Sequence, residues 1–321
     1  MTDMPMRRWL VTDDDIDGAG SAVVAKQVFG DDVTIKACGR KNADEAIASL
    51  LKKVDKMPDE SGVAELYITD LSPSQRIAEM IEAQHATGKL IVRLLDHHET
   101  ADWINRYSWA QAHEGPCGTA LLFQALHERV LPDKYDDPGR VDDLREFVEA
   151  VNAYDNLKTG DEHFVRGGDL NRLMWFVGLK DFVSQYTRDL CSDLGDGDYS
   201  QLTYFLRREQ RRDVDDVVSH QVKGHEGFLD ARDDRYMVVV SDRHMSTIAQ
   251  AVLNARPMIQ YVVVIRPMSN QVSLRSREGG VNVAEIAAKF NGGGGHPNAA
   301  GFSLVARETL KALVTGQLLL P

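Results

Sequence analysis

Acidic and imidazole side chains follow three short apolar segments in the first half of the chain, where buried strands would end. The positions are Asp13, Asp15 and Asp17 after residues 9–11, Asp70 after residues 65–69, and Asp96, His97 and His98 after residues 90–95. Carboxylates and imidazoles bind metal ions and transfer protons. A set of carboxylates and histidine without thiolate suits Mn²⁺ or Mg²⁺, with the histidine favouring Mn²⁺, and disfavours a structural zinc site.

Each segment also has a purely structural interpretation. A strand-end loop in solvent accounts for residues 96–98, an acidic turn for residues 13–17, and a turn or helix cap for Asp70. The period-two spacing of residues 13, 15 and 17 predicts three carboxylates on one side of an extended segment, where they repel unless a cation lies among them. We favour a site because all three groups would meet at the carboxyl ends of parallel strands, where open α/β sheets bind ligands.

Asp155 adds a fourth acidic position. Residues 141–154 predict a helix whose apolar stripe of Leu144, Val148 and Val151 continues four residues further to Asp155. A carboxylate there either lies in a fraying helix end or is held inward by a positive partner. We favour the inward position.

Glycine-rich and arginine-bearing segments could bind anions. Gly18 to Ser21 opens a predicted helix, and its small residues would let a phosphate approach the helix N-terminus. Gly292 to Gly295, followed by His296, would form a nest of backbone N–H groups, with a flexible linker as the alternative. Arg275 and Arg277 would face one side of a strand, either as an exposed edge pair or as a clamp for phosphate or carboxylate.

The hydropathy pattern predicts a framework that holds the acidic groups at one sheet edge. Strands are predicted at residues 9–11, 33–37, 65–69 and 89–95, and helices at 18–29, 42–54, 72–87, 118–130 and 141–154. Ser72-Pro73-Ser74-Gln75 has the cap residue, proline and glutamine of a capping box. Strands that alternate with helices predict an α/β fold with a doubly wound, mainly parallel sheet.

A second, smaller α/β unit is expected after a charged connecting helix over residues 199–222, whose arginines are most simply a solvated face. Strands are predicted there at residues 236–240, 261–265 and 272–277, and helices at 245–255, 283–290 and 308–318. The predicted organisation is a first domain over residues 1–195, a helical linker over 196–224 and a second domain over 225–321.

The composition of the chain excludes some classes of protein. The 321 residues exceed the usual size of one core, so two domains are expected. The net charge of −12 argues against a protein that coats long nucleic acids with a broad basic face. Cys38, Cys117 and Cys191 show no disulfide or metal-ligand spacing and are expected to be small core residues. No apolar run spans a membrane and the N-terminus has no signal-peptide segment, which predicts a cytoplasmic protein.

The ordered motifs resemble the DHH–DHHA1 phosphoesterase superfamily over nearly the whole chain. The residues that carry the resemblance are Asp13-Asp14-Asp15-Ile16-Asp17-Gly18, Asp70, Asp96-His97-His98, Asp155 and Gly292 to Phe302. The segments Tyr67 to Pro73 and Val151 to Asp155 are similar to the oligoribonuclease type. Many relatives, including the oligoribonuclease type, carry histidine at the position of Asp13. This chain has aspartate there, as RecJ-like nucleases do, and the added carboxylate could shift the metal preference.

This resemblance implies an active site in the cleft between two domains, with two Mn²⁺ ions for which Mg²⁺ or Co²⁺ could substitute. The implied ligands are Asp13 and Asp15 for one ion, Asp17, His97 and Asp155 for the other, and Asp70 as the bridge. Asp96 would orient a histidine, and His98 would contact the scissile phosphate or assist proton transfer. The substrate's terminal nucleotide and phosphate would be held by Arg275, Arg277, Gly293, Gly294, Gly295 and His296. The ions would activate water for in-line attack on phosphorus.

The leading hypothesis is a Mn²⁺-dependent phosphodiesterase that removes mononucleotides from very short RNA or DNA. The close alternative is a phosphodiesterase or phosphatase for small nucleotides, such as linear or cyclic dinucleotides, cyclic mononucleotides or 3′-phosphoadenosine 5′-phosphate. A RecJ-like exonuclease on long strands fits less well, because no oligonucleotide-binding domain or basic face is evident. A nucleotide-binding regulator with a degenerate metal site is the non-enzymatic alternative, against which the intact ligand set argues. No membrane partner is expected, and a homodimer is left open.

Overall fold

A computed structural model of the chain describes residues 7–58, 62–127, 138–189, 200–290 and 292–304. Two compact units divide between Thr203 and Tyr204. Three of the sequence predictions lie outside the described residues: the helix over 308–318, the core position of Cys191 and the domain boundary at residue 195.

The first unit is built around a parallel sheet. Its strands in the described residues are β1 (Arg8–Thr12), β2 (Val33–Ala37), β3 (Ala64–Thr69), β4 (Leu90–Asp96) and β5 (Ala110–Ala112). Their order is β2-β1-β3-β4-β5, and all neighbours pair in parallel. The predicted α/β fold with a doubly wound sheet is confirmed, and β5 is an edge strand that the sequence did not indicate.

Helices cover both faces of this sheet. They are α1 (Ile16–Phe29), α2 (Arg40–Asp55), α3 (Gln75–Ala86), α4 (Gly118–His127), α5 (Pro138–Asp155), α6 (Phe164–Val177) and α7 (Leu179–Asp189), with a 3₁₀ helix over Glu99–Arg106. One apolar core packs Leu10 against α1, α4, α5, α6 and α7, and the other packs Trp9 and Val11 against α2 and α3. Because successive strand side chains point to opposite faces, the two cores lie on opposite sides of the sheet.

The start of α3 differs from the prediction. The prediction of a capping box at Ser72 is wrong, because α3 begins at Gln75 and Ser74 is the residue before its first turn. The Ser72 hydroxyl instead donates a 2.7 Å hydrogen bond to Asp96 Oδ2. The polar residues between β3 and α3 therefore support the strand end of β4 rather than the helix.

The second unit contains a mixed sheet. Its strands in the described residues are β6 (Phe228–Leu229), β7 (Arg235–Val240), β8 (Tyr261–Arg266), β9 (Gln271–Ser276), β10 (Gly294–His296) and β11 (Ala299–Ser303). The order is β10-β11-β9-β8-β7-β6, in which β7 and β8 are parallel and the other pairs are antiparallel.

The helices of the second unit include part of the predicted linker. They are α8 (Ser200–Val217, which enters this unit at Tyr204), a π-helical turn over Val218–Val222, α9 (Met245–Ala255) and α10 (Val283–Ala287). Val217 and Val222 are buried in a core that also contains residues of β7, α9 and β8. The stretch predicted as a linker thus contributes apolar side chains to the second unit. No helix in the described part of the chain is long and apolar enough to cross a membrane.

Candidate metal centre

The carboxyl ends of β1, β3 and β4 bring the predicted acidic and imidazole side chains together. Thr12 pairs with Thr69, and Thr69 pairs with Leu95, so the three strands end side by side. The side chains that follow these strand ends are buried although they are polar; they are Asp13, Asp17, Asp70, Asp96, His97 and His98. Burial of so many ionisable groups at one sheet edge requires compensating charge or hydrogen bonds.

The turn after β1 differs from the predicted extended segment. That prediction is wrong because α1 already begins at Ile16, with Asp15 as its N-cap residue. Asp15 Oδ1 accepts hydrogen bonds from the N–H groups of Asp17 and Gly18 at 3.0 and 3.1 Å. The carboxylates of residues 13, 15 and 17 thus reach the site through a strand-to-helix turn rather than through period-two alternation.

The glycines that open α1 are required by packing. A Cβ atom at Gly18 would lie 1.8 Å from the Asp13 carbonyl oxygen, and one at Gly20 would lie 2.5 Å from Thr119 Oγ1. The amide of Gly18 is already bonded to Asp15. The anion site predicted at this helix end is therefore wrong, because its small residues admit protein atoms and its amide has an internal acceptor.

Asp17 is held by the N-terminus of a second helix. Its Oδ2 and Oδ1 accept hydrogen bonds of 2.7 Å from the N–H groups of Gly118 and Thr119, the first residues of α4. The partial positive charge of a helix N-terminus stabilises a carboxylate there. A Cβ atom at Gly118 would lie 2.9 Å from Asp17 Oδ2 and 2.9 Å from the Asp70 nitrogen, so glycine permits this approach.

His97 faces three carboxylates from different segments. The distances from Nε2 are 3.2 Å to Asp155 Oδ2, 3.4 Å to Asp70 Oδ1 and 3.9 Å to Asp17 Oδ2. The structure places Asp155, the last residue of α5, inward against this imidazole. Donor atoms of Asp17, Asp70 and His97 all lie within 4.8 Å of one another, which is close enough to share one ion.

A second group of donors adjoins the first. The carboxylates of Asp13, Asp15 and Asp70 lie within 4.8 Å of one another. Burial and the neighbouring Asp15 raise the pKa of Asp13 to about 7. Burial and the nearby Asp17 and Asp15 raise the pKa of Asp70 well above its usual value. Asp70 belongs to both groups, so it lies where one carboxylate can serve two ions.

These residues fit divalent cations. Burial and the nearby carboxylates of Asp17 and Asp15 raise the pKa of Asp155 as well. Asp155 Oδ2 is buried and receives no hydrogen bond from the described residues, although His97 Nε2 lies 3.2 Å away. Oxygen donors with one imidazole are the set that Mn²⁺ and Mg²⁺ accept.

Asp96 and His98 form a connected pair beside the carboxylates. Asp96 Oδ1 accepts a 2.7 Å hydrogen bond from His98 Nδ1 and bonds of 2.8 and 3.2 Å from the N–H groups of His97 and His98. Burial by itself raises the pKa of Asp96, but the hydrogen bonds from His98 and Ser72 outweigh it and the pKa is lowered. Burial and the nearby Arg40 lower the pKa of His98. Asp96 is thus a carboxylate that accepts the Nδ1 proton of a neutral imidazole.

Arg40 is a site residue that sequence reasoning missed. It is the first residue of α2, its guanidinium contacts His98 Nε2, and its Nε lies 3.6 Å from Asp13 Oδ2. Its side chain is 51% exposed, so it combines a contact inside the site with access to solvent. The available signal was its position after β2, since β2 ends at the same sheet edge as β1. The sequence prediction considered only acidic residues and histidines at that edge.

The structure also places sulfur at the centre. Cys117 is fully buried, and its thiol lies within 4.8 Å of carboxylate oxygens of Asp17 and Asp155. Burial and those two carboxylates raise its pKa well above the usual value of a thiol. Cys117 is thus a buried thiol beside the carboxylates, a position that the sequence did not indicate. Cys117 lies 100 residues beyond Asp17, so the spacing of the motifs could not reveal the contact.

The predicted arginine clamp of the second unit is not a pair. Arg275 donates to Ser273 Oγ at 2.8 Å and to Ser246 Oγ at 3.1 Å. Arg277 lies beyond the end of β9, and its guanidinium donates to the carbonyl oxygens of Leu253 and Ile259, at and just after the end of α9. The clamp prediction is wrong for Arg277, because its donors are used to close a helix end.

The glycine segment forms a hairpin rather than an open nest. Gly294 to His296 make up β10 and pair with β11, in which Gly295 lies opposite Ala300 and His296 opposite Ala299. A Cβ atom at Gly293 would lie 1.8 Å from the Ala287 carbonyl oxygen, and one at Gly295 would lie 2.5 Å from that of Ala299. The glycines thus allow close backbone packing, and the predicted nest conformation is wrong for this segment.

His244 is a further residue that the sequence did not indicate. It precedes α9 in a left-handed conformation with φ of 51°, and its Nε2 lies 3.5 Å from Asp213 Oδ2. Residues that bear a Cβ rarely adopt this conformation, although Asp233 and Asn270 of the same unit also do. The histidine stands two residues before Ser246, the partner of Arg275.

Comparison with known proteins finds one domain match and one similar protein of described activity. Residues 233–315 match the sequence model of the DHHA1 domain. The chain is 26% identical over 313 residues to oligoribonuclease NrnB of Bacillus subtilis (strain 168), which covers 92% of this chain and 72% of that protein.

Solved structures share the fold at low sequence identity. RecJ of Thermus thermophilus in complex with Mn²⁺ has a TM-score of 0.59 at 15% identity and covers 97% of this chain and 51% of its own. PggH of Vibrio cholerae, described as a pGpG-specific phosphodiesterase, has a TM-score of 0.53 at 15% identity and covers 97% of each chain. The DHHA1 match and the similarity to NrnB agree with the resemblance to the DHH–DHHA1 superfamily that the motifs indicate.

Proposed function

We propose that the protein is a metal-dependent phosphoesterase that hydrolyses short oligonucleotides to mononucleotides. The observation that carries the proposal is the position of Asp70, whose carboxylate belongs both to the group with Asp17 and His97 and to the group with Asp13 and Asp15. Two divalent ions held there would polarise the scissile phosphate and lower the pKa of a bound water molecule so that it can act as the nucleophile. This is the usual chemistry of two-metal hydrolases. Mn²⁺ is the ion that the carboxylate and imidazole donors fit best.

Each ion has its own ligands in this proposal. Asp13 and Asp15 hold one ion, and Asp17, His97 and Asp155 hold the other, with Asp70 shared between them. The hydrogen bonds from Gly118 and Thr119 hold the Asp17 carboxylate in its orientation. The RecJ structure bound to Mn²⁺ supports this choice of metal, because the two chains share their fold.

His98 and Arg40 act on the phosphate. Asp96 accepts the Nδ1 proton of His98, which leaves Nε2 of that ring able to accept a proton or a hydrogen bond. Arg40 adds a half-exposed guanidinium at the same nitrogen, and a guanidinium binds phosphate oxygens in a bidentate manner. Together they hold the substrate phosphate and balance its negative charge.

The second unit supplies the contacts to the end of the substrate. We assign the terminal phosphate to Arg275, and the terminal nucleotide to the hairpin of Gly293, Gly294, Gly295 and His296. Arg275 is aligned by two serine hydroxyls, which suits a residue that binds an oxyanion. The net charge of −12 favours short substrates gripped at one end, and we place this activity in the cytoplasm.

A length series tests the function. Purified protein with Mn²⁺ is incubated with a dinucleotide, a pentanucleotide and a twenty-nucleotide strand, each labelled at one end. We expect rapid conversion of the two short substrates to mononucleotides and slow conversion of the long strand. If neither short substrate is consumed while the protein is folded and metal is present, the proposal is wrong.

A dinucleotide-specific phosphodiesterase is the second candidate, because PggH, described as specific for pGpG, shares the fold over 97% of both chains. The same series distinguishes the two functions. Turnover of pGpG without turnover of the pentanucleotide would favour the second candidate, whereas comparable rates on both would favour the oligoribonuclease.

A further inference from the structure

A series of planar side chains follows His98 in the chain. The guanidinium carbon of Arg106 lies 5.1 Å from the ring centroid of Trp103 and 5.1 Å from that of Tyr107. The Tyr107 ring stacks in turn on Trp109, with centroids 4.9 Å apart and an interplanar angle of 14°. We call these residues, Trp103, Arg106, Tyr107 and Trp109, the aromatic stack.

The aromatic stack is fixed to the sheet edge that carries the metal centre. The 3₁₀ helix over Glu99–Arg106 starts directly after His98. Near its other end, Asn105 Nδ2 donates a 2.6 Å hydrogen bond to the Ala112 carbonyl oxygen, and Asn105 Oδ1 accepts a 2.7 Å bond from the Ala112 N–H group. Ala112 is the residue of β5 that pairs with Asp96. Both ends of the helix are therefore tied to the end of β4.

The helix presents Trp103 to solvent. Ala101 and Ile104 are buried in the core, whereas Trp103 is 37% exposed. With a rise of about 2 Å per residue in a 3₁₀ helix, the Cα atom of Trp103 lies about 10 Å along the helix from that of His98. A nucleotide joined to a phosphate at His98 can reach an indole at that distance.

The two ends of the aromatic stack differ in their surroundings. Trp109 is buried, and its indole N–H group donates a 2.7 Å hydrogen bond to Glu82 Oε2, as packing in a core requires. Trp103 and Arg106 are both exposed, so the core does not account for their positions. The inner end thus anchors the stack, and the outer end offers an aromatic surface.

This outer end has the chemistry of a base-stacking site. Proteins hold unpaired bases on exposed aromatic rings and on the planes of arginine guanidinium groups. Every base has a flat π face, so stacking tolerates any sequence. Such tolerance suits an enzyme that degrades short oligonucleotides of mixed sequence.

We propose that Trp103, supported by Arg106, is a stacking site for a nucleobase of the bound oligonucleotide. The base belongs to the nucleotide that adjoins the one whose phosphate lies at the metal centre. This inference rests on the proposed function, because it takes an oligonucleotide as the ligand. No bond is made or broken at the site. Its effect is to favour substrates with a second nucleotide over phosphodiesters of a single nucleotide.

The test compares oligonucleotides that differ only in their bases. The intact probe is an adenine trinucleotide, and two analogues keep the same backbone but only one terminal adenine, at one end or the other. Binding to the metal-free protein is measured by calorimetry in the presence of chelator, so that no probe is hydrolysed. We expect the wild type to bind the intact probe at least about fivefold more tightly than either analogue.

Four variants assign this preference to the indole. Trp103→Ala and Trp103→Leu should lose the preference for the intact probe, whereas Trp103→Phe should keep most of it, because only phenylalanine provides an aromatic face. Leucine keeps apolar volume, so it would restore binding if the ring only packed against the protein. Trp175→Ala is the matched control, since Trp175 is 64% exposed on α6, and it should bind like the wild type.

Several results would overturn the proposal. They are a wild type without preference for the intact probe, a Trp103→Ala or Trp103→Leu variant that keeps it, and an equal loss in Trp175→Ala. Circular dichroism spectra show that each variant is folded. Because the ring of Trp103 is partly in solvent, its replacement should leave the fold intact.

The outcomes separate this inference from the proposed function. With Mn²⁺, Trp103→Ala should raise KM for the adenine trinucleotide by about fivefold or more. Hydrolysis with the same KM in wild type and variant would overturn the stacking site and leave the function standing. Base-dependent binding that requires Trp103, without hydrolysis of any substrate, would support the stacking site and refute the function.

Discussion

His98 Nδ1 lies 2.7 Å from Asp96 Oδ1, and the same oxygen accepts the N–H groups of His97 and His98. One carboxylate therefore sets both the backbone after β4 and the orientation of an imidazole. Asp96 is 1% exposed and lies outside the groups assigned to the two ions, so its contribution passes through His98.

Asp96→Asn should lower kcat by about ten- to a hundredfold, because a neutral amide lacks the negative charge that accepts the hydrogen bond from Nδ1 of His98. The affinity for Mn²⁺, measured by calorimetry without substrate, should change much less. Asp14→Asn is the matched control, since Asp14 is exposed in the neighbouring acidic segment. A kcat equal to that of the wild type would contradict the role of Asp96.

Asp70→Asn should abolish hydrolysis, with a loss of more than about a hundredfold, because the shared carboxylate is removed. Asparagine is preferred to alanine here since Asp70 has a φ of 56°, and asparagine tolerates this left-handed conformation. Without metal ions the variant should melt at a higher temperature than the wild type, because one of several repelling carboxylates is neutral. Substantial hydrolysis by a folded variant would refute the two-metal proposal.

Without metal ions, stability should fall as the pH rises from about 4 to about 7. The folded protein raises the pKa of Asp13 from 3.8 to about 7, so it binds more protons than the unfolded chain across this interval. Each proton so retained changes the stability by up to about 1.4 kcal/mol per pH unit. Saturating Mn²⁺ should reverse the trend, since it binds the ionised form. Thermal melts with chelator and with Mn²⁺ across this range measure both slopes.

Arg40→Ala should raise KM for short oligonucleotides by about tenfold or more, because the guanidinium that contacts His98 is lost. Arg40→Lys should recover only part of the loss, since an ammonium cannot form the bidentate contact. Lys52→Ala, an exposed cation on the same helix, controls for net charge. If the Lys52 and Arg40 variants had the same KM, the specific role of Arg40 would be disproved.

Arg277→Ala and Arg275→Ala should have different effects. Arg277 donates to carbonyl oxygens at the end of α9, so its loss should reduce the free energy of unfolding by about 1–3 kcal/mol with little effect on KM. Arg275→Ala should raise KM with a smaller loss of stability. Denaturant titration and steady-state kinetics on both variants check the contrast. The opposite pattern would restore Arg277 as a substrate ligand.

The fold could be predicted because its strands are short apolar runs bounded by clear helix signals, as at residues 33–37 and 65–69. The edge that carries the site also followed from this pattern, since the carboxyl ends of parallel strands must lie together. The individual contacts within the site could not be predicted from the sequence in the same way. Gly118 donates a hydrogen bond to Asp17 although about 100 residues separate them in the sequence, and motif spacing does not predict such a contact. The capping box failed because Ser72 bonds to a carboxylate on another strand.

The functional meaning of the small residues was ambiguous in the sequence. Gly18, Gly293 and Gly295 were interpreted as openings for a ligand, yet each faces a carbonyl oxygen of its own chain. Glycine signals that two groups approach closely without stating whether the second is a ligand or the protein. The two arginines were ambiguous for a similar reason. Arg275 and Arg277 have the same spacing on the sequence, but Arg275 donates to serine hydroxyls and Arg277 donates to carbonyl oxygens near the end of a helix.

The absence of a side chain at Gly118 has a consequence for how the centre can vary. A single methyl group at this position would press on Asp17 and on the backbone of Asp70 at once. These residues belong to different strand ends, and one of them serves both proposed ions. A substitution at Gly118 would therefore displace Asp17 and Asp70 together. Because Asp70 is the ligand that both proposed ions share, such a substitution would weaken the binding of both ions rather than of one alone.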